Sequence, residues 1–217
     1  ISHELKTPIS AIKMSVQLLE NNQIGVLNLE QQNLVNSIKE DTVRLLKITS
    51  ELLNMTQVES GSIQINLVPC NAMDILDYAI NATKVVADQK QISIKINIDD
   101  RLPKVLADTE KTAWVLTNLL SNAIRYTYEK SIINIEISEE NNRVKFSVTD
   151  SGQGISPQYI DKVFDRYFRV PGTRGEGTGL GLSISKEFIE VQGGKIFVKS
   201  DYGTGCSFSF ILNGILS

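Results

Sequence analysis

Leu5, Ile9, Ile12, Val16 and Leu19 follow one another at spacings of four and three residues, the rhythm of an apolar seam along a helix. The pattern stops at Asn21-Asn22-Gln23-Ile24-Gly25, a polar stretch with a glycine that reads as a turn. It resumes at Leu34, Ile38, Leu45, Ile48, Leu52 and Met55, with a second stripe of Val35, Leu46 and Leu53 alongside. The prediction is two antiparallel helices whose apolar face is wider than one partner helix covers. Such a hairpin pairs with a second copy as a four-helix bundle; packing on the rest of its own chain is the alternative. Ser60-Gly61-Ser62 closes the second helix and divides the chain into residues 1–61 and 62–217.

Beyond that boundary the period changes. Ile63–Leu67 alternates as a strand, and Ala72–Gln89 reads as a helix with Ile75, Ala79, Ala82 and Val86 on one side. Ile92, Ile94, Ile96 and Ile98 alternate strictly, the mark of a half-buried strand. Asp108 opens a helix that runs to Tyr126. Ile133, Ile135 and Ile137, then Val144, Phe146 and Val148, predict two strands joined by the turn Glu139-Glu140-Asn141-Asn142. A glycine-rich stretch, a helix over about Leu180–Val191 and strands at Lys195–Lys199 and Ser207–Leu212 complete the chain. Helices grouped against a mixed, mostly antiparallel sheet make an α+β two-layer sandwich.

Composition narrows the function classes. Of 217 residues 41% are hydrophobic, within the globular range, and 22 Lys+Arg against 25 Asp+Glu leave a net charge of −3. That balance argues against a basic nucleic-acid footprint and against a polyacidic tail. No apolar run approaches the roughly 18–20 residues that span a bilayer. Cys70 and Cys206 stand far apart with no CxxC, so neither a disulfide framework nor a cysteine metal site is expected. A soluble protein of a reducing compartment is the expectation. The opening at Ile1, without an initiator methionine, reads as a piece of a longer chain.

Four clusters in the second part carry candidate chemistry. Asn118 and Asn122 are one turn apart on the long helix, with Arg125 a turn further. Amide oxygens suit Mg²⁺, which keeps several waters and shares substrate phosphates; solvated asparagines are the alternative. Asp150-Ser151-Gly152-Gln153-Gly154 ends a strand, where Asp150 can accept from an exocyclic amine such as that of adenine while the glycines admit a flat ring. Alternatively it is an ordinary Asp-Gly turn. Gly175, Gly177, Gly179 and Gly181 alternate just ahead of a helix, which suits a loop that holds phosphate oxygens rather than a linker. GxGxxG fails at Leu182, and no GxxxxGK[ST] exists. Between these clusters, Phe164–Arg169 sets aromatics and two arginines before Pro171-Gly172, as in an anchored lid or a surface aromatic helix.

His3, the only histidine, stands in Ser2-His3-Glu4-Leu5-Lys6-Thr7-Pro8. It shares a helix face with Thr7, and Pro8 should bend the helix. Zinc is not expected, because HExxH needs a second His where Thr7 stands. Neutral imidazole is a nucleophile able to carry a phosphoryl group, and Glu4 can take the proton of the other ring nitrogen.

Together these motifs resemble the catalytic core of a bacterial sensor histidine kinase over essentially the whole chain. Ser2–Pro8 is similar to the H box, Asn118–Tyr126 to the N box, and Asp150–Gly154 to the first glycine box. Phe164–Arg169 is similar to the F box, Gly177–Leu182 to the second glycine box, and Gly203–Phe208 to the closing strand motif. The resemblance implies a dimerisation and phosphoacceptor hairpin followed by a Bergerat-type ATP-binding domain. It implies that His3 takes the γ-phosphoryl group of ATP and passes it to an aspartate of a response regulator. Glu4 would be the base, Thr7 would position water for regulator dephosphorylation, and Arg166 or Arg169 would meet the γ-phosphate. Asn122, helped by Asn118, would hold Mg²⁺. Arg125, Tyr126, Asp150, Gly152, Gly154, Phe168 and Thr204 would contact nucleotide, with Gly175, Gly177, Thr178, Gly179, Leu180, Gly181 and Leu182 as the lid. It further implies a cytoplasmic fragment of a protein at the inner membrane. Two departures are the stretch ahead of His3, where the family's first helix extends further and only Ile1 and Ser2 stand here, and Glu176, where many members have glycine; Trp114 also stands where a polar residue is common. A phosphatase-dominant or non-catalytic dimeric scaffold is the alternative function.

Overall fold

The computed structural model describes residues 2–21, 24–173 and 177–215, with the side chains of Ser2, His3, Glu4 and Lys6 outside that description. The chain forms two compact units, Ile1–Ile63 and Gln64–Ser217.

The first unit is a pair of helices, α1 (Ser2–Leu19) and α2 (Leu29–Glu59). Asn28 starts α2 with a reciprocal capping box: its side chain accepts from the Gln31 N–H and its own N–H donates to the Gln31 side chain, both at 2.9 Å. Lys39 reaches back to Glu20 at 2.8 Å, so the helices run antiparallel. The seam inside the hairpin differs from the expected one. Ile9 and Val16 of α1 are buried, and on α2 the buried positions are Val35, Thr42, Thr49, Glu51 and Met55. Val35, Thr42 and Thr49 recur every seven residues, and the two threonine hydroxyls donate to the Ile38 and Leu45 carbonyls of their own helix. Leu5, Ile12, Leu19, Leu34, Ile38, Leu45 and Leu52 are all exposed. A strip with threonines satisfied on their own backbone packs as an apolar one, which a hydropathy pattern does not register.

The second unit is a seven-stranded sheet with three helices. In chain order these are β1 (Val68–Cys70), α3 (Ala72–Gln89), β2 (Ser93–Ile98), β3 (Lys104–Ala107), α4 (Thr109–Tyr126), β4 (Ile132–Glu140) and β5 (Arg143–Thr149). A 3₁₀ turn (Pro157–Lys162), α5 (Gly181–Glu190), β6 (Lys195–Asp201) and β7 (Gly205–Ile215) follow. The order across the sheet is β1-β3-β7-β5-β4-β2, with β6 also on β7. Only β2 with β4 is parallel. Alternate residues of β4, β5 and β7, namely Ile133, Ile135, Ile137, Phe146, Phe210 and Leu212, are fully buried together with Leu116, Leu119, Leu120 and Ile124 of α4. Phe146 and Phe210 stack with ring centres 4.7 Å apart. Their neighbours face the other way, where Ser147 bonds Ser209 and Thr149 bonds Ser207, each at 2.9 Å. The result is the expected α+β two-layer sandwich.

Three local expectations are corrected. Residues 63–67 form no strand; pairing begins at Val68, opposite Ala107, and the Asn66 N–H donates to Asp108 Oδ2 at 3.1 Å instead. The inward face of α3 is Ile75, Leu76, Ala79, Thr83 and Ala87, leaving Ala82 and Val86 exposed. Once again a buried threonine, bonded to the Ala79 carbonyl at 2.8 Å, shifts the stripe. In β2, an edge strand, Ile96 is 45% exposed because nothing flanks β2 beyond β4.

Candidate functional site

Helix α4 organises the site. Asp108 caps it by accepting the Lys111 N–H at 3.0 Å, and Lys111 Nζ stands 3.1 Å from the same carboxylate. Burial pushes the Asp108 carboxyl up, but the N–H groups of Lys111 and Asn66 and the Lys111 ammonium outweigh it and hold it below the usual carboxylate value. Buried Gln192, just past α5, accepts the Asp108 N–H at 2.7 Å and the Thr112 hydroxyl at 3.2 Å. That side chain bolts the start of α4 to the end of α5.

The face of α4 bearing Asn118, Asn122 and Arg125 lies along the glycine loop. A Cβ on Gly181 would come within 2.6 Å of Asn118 Oδ1, and one on Gly177 within 3.0 Å of Arg125 Nη1. The two ends of the segment 177–181 thus touch α4 at positions 118 and 125, with half-exposed Asn122 between them. Leu180, the residue before α5, offers no side-chain cap, so the first N–H groups of α5 stay available to an anion. Thr178 Oγ1 accepts the Leu180 N–H at 3.2 Å and shapes the approach. Asn118 also has a structural tie. It is buried and its amide donates to Ser185 Oγ at 3.0 Å, so it ties α4 to α5 and leaves Asn122 as the outward amide of the pair.

Asp150 ends β5 on the other side of the site. It is buried, its Oδ1 accepts the Gly152 N–H at 2.8 Å, and its own N–H donates to the Cys206 carbonyl at 2.9 Å. Burial pushes its carboxyl above the usual value, against the N–H groups of Gly152 and Cys206 that favour the charge. Gly152 is required because a Cβ would lie 2.5 Å from the Tyr126 carbonyl, the last of α4. Gly205, at φ +124°, presses on the Asp150 carbonyl, and Gly154 presses on that of Asp201. Ser200 Oγ accepts the Ile155 N–H at 2.9 Å and donates to the Gly205 carbonyl at 2.7 Å. Burial drives the nearby Cys206 thiol up to about 11, which leaves it protonated and inert at neutral pH. Gly205 and Cys206 fall within the motif Gly203–Phe208, whereas Ser200 carries no local signal, because its bond to the Ile155 N–H spans 45 residues of sequence. A cavity of about 220 Å³ touches Asp150 but is lined otherwise by the β6–β7 hairpin, including Lys199, Asp201 and Thr204, and not by α4 or the loop.

Residues 164–169 form turns, which removes the surface-helix alternative. Phe164 meets Phe208 edge-on at 6.3 Å, and Phe168 leans on Tyr159 at 5.8 Å. Half-buried Phe168 thus helps to anchor this segment. Arg166 stands 3.7 Å from Glu187 of α5, both about two-fifths exposed, while Arg169 is exposed. The Tyr167 N–H donates to the Gly179 carbonyl at 3.0 Å, and both residues have left-handed backbone, φ +62° and +76°. Thr204 is exposed, and its hydroxyl donates to Asp201 O at 3.0 Å within its own turn. Tyr126 is partly exposed, at the end of α4. Leu180 is buried, and Leu182 is half-buried in the first turn of α5.

Of the remaining expected residues, Gly175 and the side chains of His3 and Glu4 lie outside the described residues. Helix α1 runs through residues 3–7, so exposed Thr7 stands one turn from His3, and Pro8 lies inside the helix. Among the described residues no three His, Cys, Asp or Glu side chains gather as a metal cage.

Comparison with known proteins places these two units. A family model described as the His Kinase A (phospho-acceptor) domain matches residues 1–61. A second, described as a histidine kinase-, DNA gyrase B- and HSP90-like ATPase, matches residues 107–214. The chain is 30% identical to the alginate biosynthesis sensor protein KinB of Pseudomonas aeruginosa, over 97% of this chain and 35% of the relative. It is 32% identical to the sensor histidine kinase ZraS of Escherichia coli, over 98% of this chain and 44% of the relative. The chain thus spans between a third and a half of the length of these two relatives, and less of others. Among solved structures, full-length ShkA in complex with AMPPNP superposes with a TM-score of 0.80 at 27% identity, covering 100% of this chain and 45% of that one. The chain belongs to the sensor histidine kinases, as the catalytic core of a protein-histidine kinase in which a phosphoacceptor helical hairpin precedes an ATP-binding domain.

Proposed function

We propose that this chain transfers the γ-phosphoryl group of ATP to His3 and then to an aspartate of a response regulator. The observation that carries the reading is the laying of loop 177–181 along Asn118, Asn122 and Arg125, ahead of an uncapped helix. Backbone N–H groups at the start of α5 and the Arg125 guanidinium receive phosphate oxygens, and Asp150 accepts from the amine of the base. Asn122 is the group that fits Mg²⁺: a neutral, half-exposed amide beside the loop, leaving most coordination sites to phosphate and water. Held there, Mg²⁺ would supply neutralisation of phosphate charge. The lone pair of one His3 ring nitrogen attacks the γ-phosphorus, the bond to the bridging oxygen breaks, and ADP leaves with the electron pair. Glu4 removes the proton from the other ring nitrogen, leaving the phosphorylated imidazole ring uncharged. Arg166 or Arg169 meets the transferring group. Thr7, one turn along α1, positions water when the hairpin dephosphorylates the regulator.

The exposed row Ile38, Leu45 and Leu52, with Leu5, Ile12 and Leu19, supports pairing of two hairpins as a four-helix bundle. Among the described residues no helix is long and apolar enough to cross a membrane; the full-length protein is read as lying at the inner membrane, cytoplasmic side.

The test is incubation with Mg²⁺ and ATP labelled on the γ-phosphate. Acid-labile, alkali-stable label on the protein, absent from His3→Gln, supports the transfer. ATP hydrolysis without label, or neither, overturns it.

A further inference from the structure

The end of α4 raises an accounting question. The last carbonyls of a helix lack partners within it, and each left dry and unpaired is costly. Here the Ala123 carbonyl accepts the Thr127 N–H at 3.0 Å, and the Tyr126 carbonyl is covered by the backbone of Gly152. The two between them, Ile124 and Arg125, both accept from one side chain: Lys90 Nζ, at 2.8 and 3.0 Å. Lys90 is itself the residue that closes α3, and its carbonyl accepts the Lys130 N–H at 3.0 Å. One half-buried lysine therefore joins the end of α3 to the end of α4 through its ammonium, and to the loop that follows α4 through its backbone carbonyl. A positive charge at the carboxyl end of a helix also opposes the negative end of its dipole.

We propose that Lys90 is a positioning residue for the nucleotide site, holding the last turn of α4 so that Asn122 and Arg125 project along the glycine loop. This rests on the nucleotide reading above. Asn122 and Arg125 are carried by the end of α4, whereas Asp150 directly follows β5 and its N–H donates to the Cys206 carbonyl of β7, a tie that does not pass through α4. Loosening α4 at its end therefore disturbs the phosphate and metal side of the site and spares the adenine side.

The experiment compares the whole chain with Lys90→Met and Lys90→Arg. In the nucleotide-free protein, Lys90→Met is expected to speed hydrogen exchange of the Thr127 amide about tenfold, matching the ~1.4 kcal/mol of a lost charged hydrogen bond. Its affinity for ATP in Mg²⁺ falls about tenfold, while its affinity for adenosine stays within about twofold, and Lys90→Arg restores most of the difference. Equal losses for ATP and adenosine, or none for either, overturn the proposal. Should Lys90→Met not fold, the same split is read on Lys90→Gln, where unchanged Mg²⁺·ATP affinity overturns it. If the wild-type chain binds no ATP in Mg²⁺, it is the nucleotide reading that fails.

Discussion

The Asn118 amide donates to the Ser185 hydroxyl at 3.0 Å, and that hydroxyl in turn donates to the Gly181 carbonyl at 2.8 Å. This short chain joins the middle of α4 to the start of α5, where the glycine loop ends. It gives two asparagines one turn apart different work: Asn118 sets the spacing of two helices, and Asn122 faces the site.

Asn118→Ala is expected to lower stability by about 1–3 kcal/mol, because the Ser185 hydroxyl loses a buried partner. Asn122→Ala should leave the melting temperature within about a degree, since a half-exposed amide with solvent access carries little stability. On the nucleotide reading it abolishes the gain in ATP affinity that Mg²⁺ brings. Thermal unfolding and calorimetric titration of both variants check the division; a Mg²⁺ effect intact in Asn122→Ala removes the metal assignment.

Gly205→Ala is expected to cost about 1–3 kcal/mol and to weaken nucleotide binding, because the backbone at φ +124° strains any side chain and the new Cβ meets the Asp150 carbonyl. Gly203→Ala, at φ +93° but with nothing near its Cβ, should cost the backbone strain alone. A nucleotide affinity equally reduced in both would mean that the turn, rather than the contact with Asp150, matters.

Asp150 supplies a pH prediction. Burial raises its carboxyl pKa above the usual 3.8, so the native state holds the proton more tightly than the unfolded chain. This contribution to stability is full below 3.8 and is lost as pH rises through the raised native value. The stability of wild type relative to Asp150→Asn should therefore decline with rising pH in that window and then level off. At pH 7 the variant should be at least as stable without nucleotide, yet bind it about tenfold or more weakly. Denaturant titrations at a series of pH values test the slope; a difference that grows with pH contradicts the assignment.

Two substitutions on α2 separate the inside of the hairpin from its outside. Leu45→Glu, at a position 47% exposed in the single chain, should abolish dimerisation while helicity persists. Val35→Ala, buried against α1, should destabilise the hairpin by about 1–3 kcal/mol and weaken the dimer only through that loss. Sedimentation and circular dichroism measure the two; a wild-type chain that stays monomeric at high concentration overturns the bundle.

Much of this molecule is legible from local order along the chain. Strict alternation at Ile133–Ile137 and Val144–Val148, the seven-residue rhythm of the first helices, and the capping Asp108 each act through near neighbours, and their elements stand where periodicity puts them. The motifs at Asn118–Tyr126, Asp150–Gly154 and Gly177–Leu182 are equally visible, because each needs particular residues at short spacing. Tertiary structure decided what those motifs do to one another. Four-residue β3 has too little pattern to count, and the threonines facing inward from α2 and α3 look polar until their hydroxyls turn to their own backbone. The tie of Asn118 to Ser185, the close approach of Gly205 to Asp150 and the reach of Lys90 to the end of α4 all depend on groups distant in sequence. Periodicity encodes which way a side chain points from its own element; what it meets there is set only when elements pack.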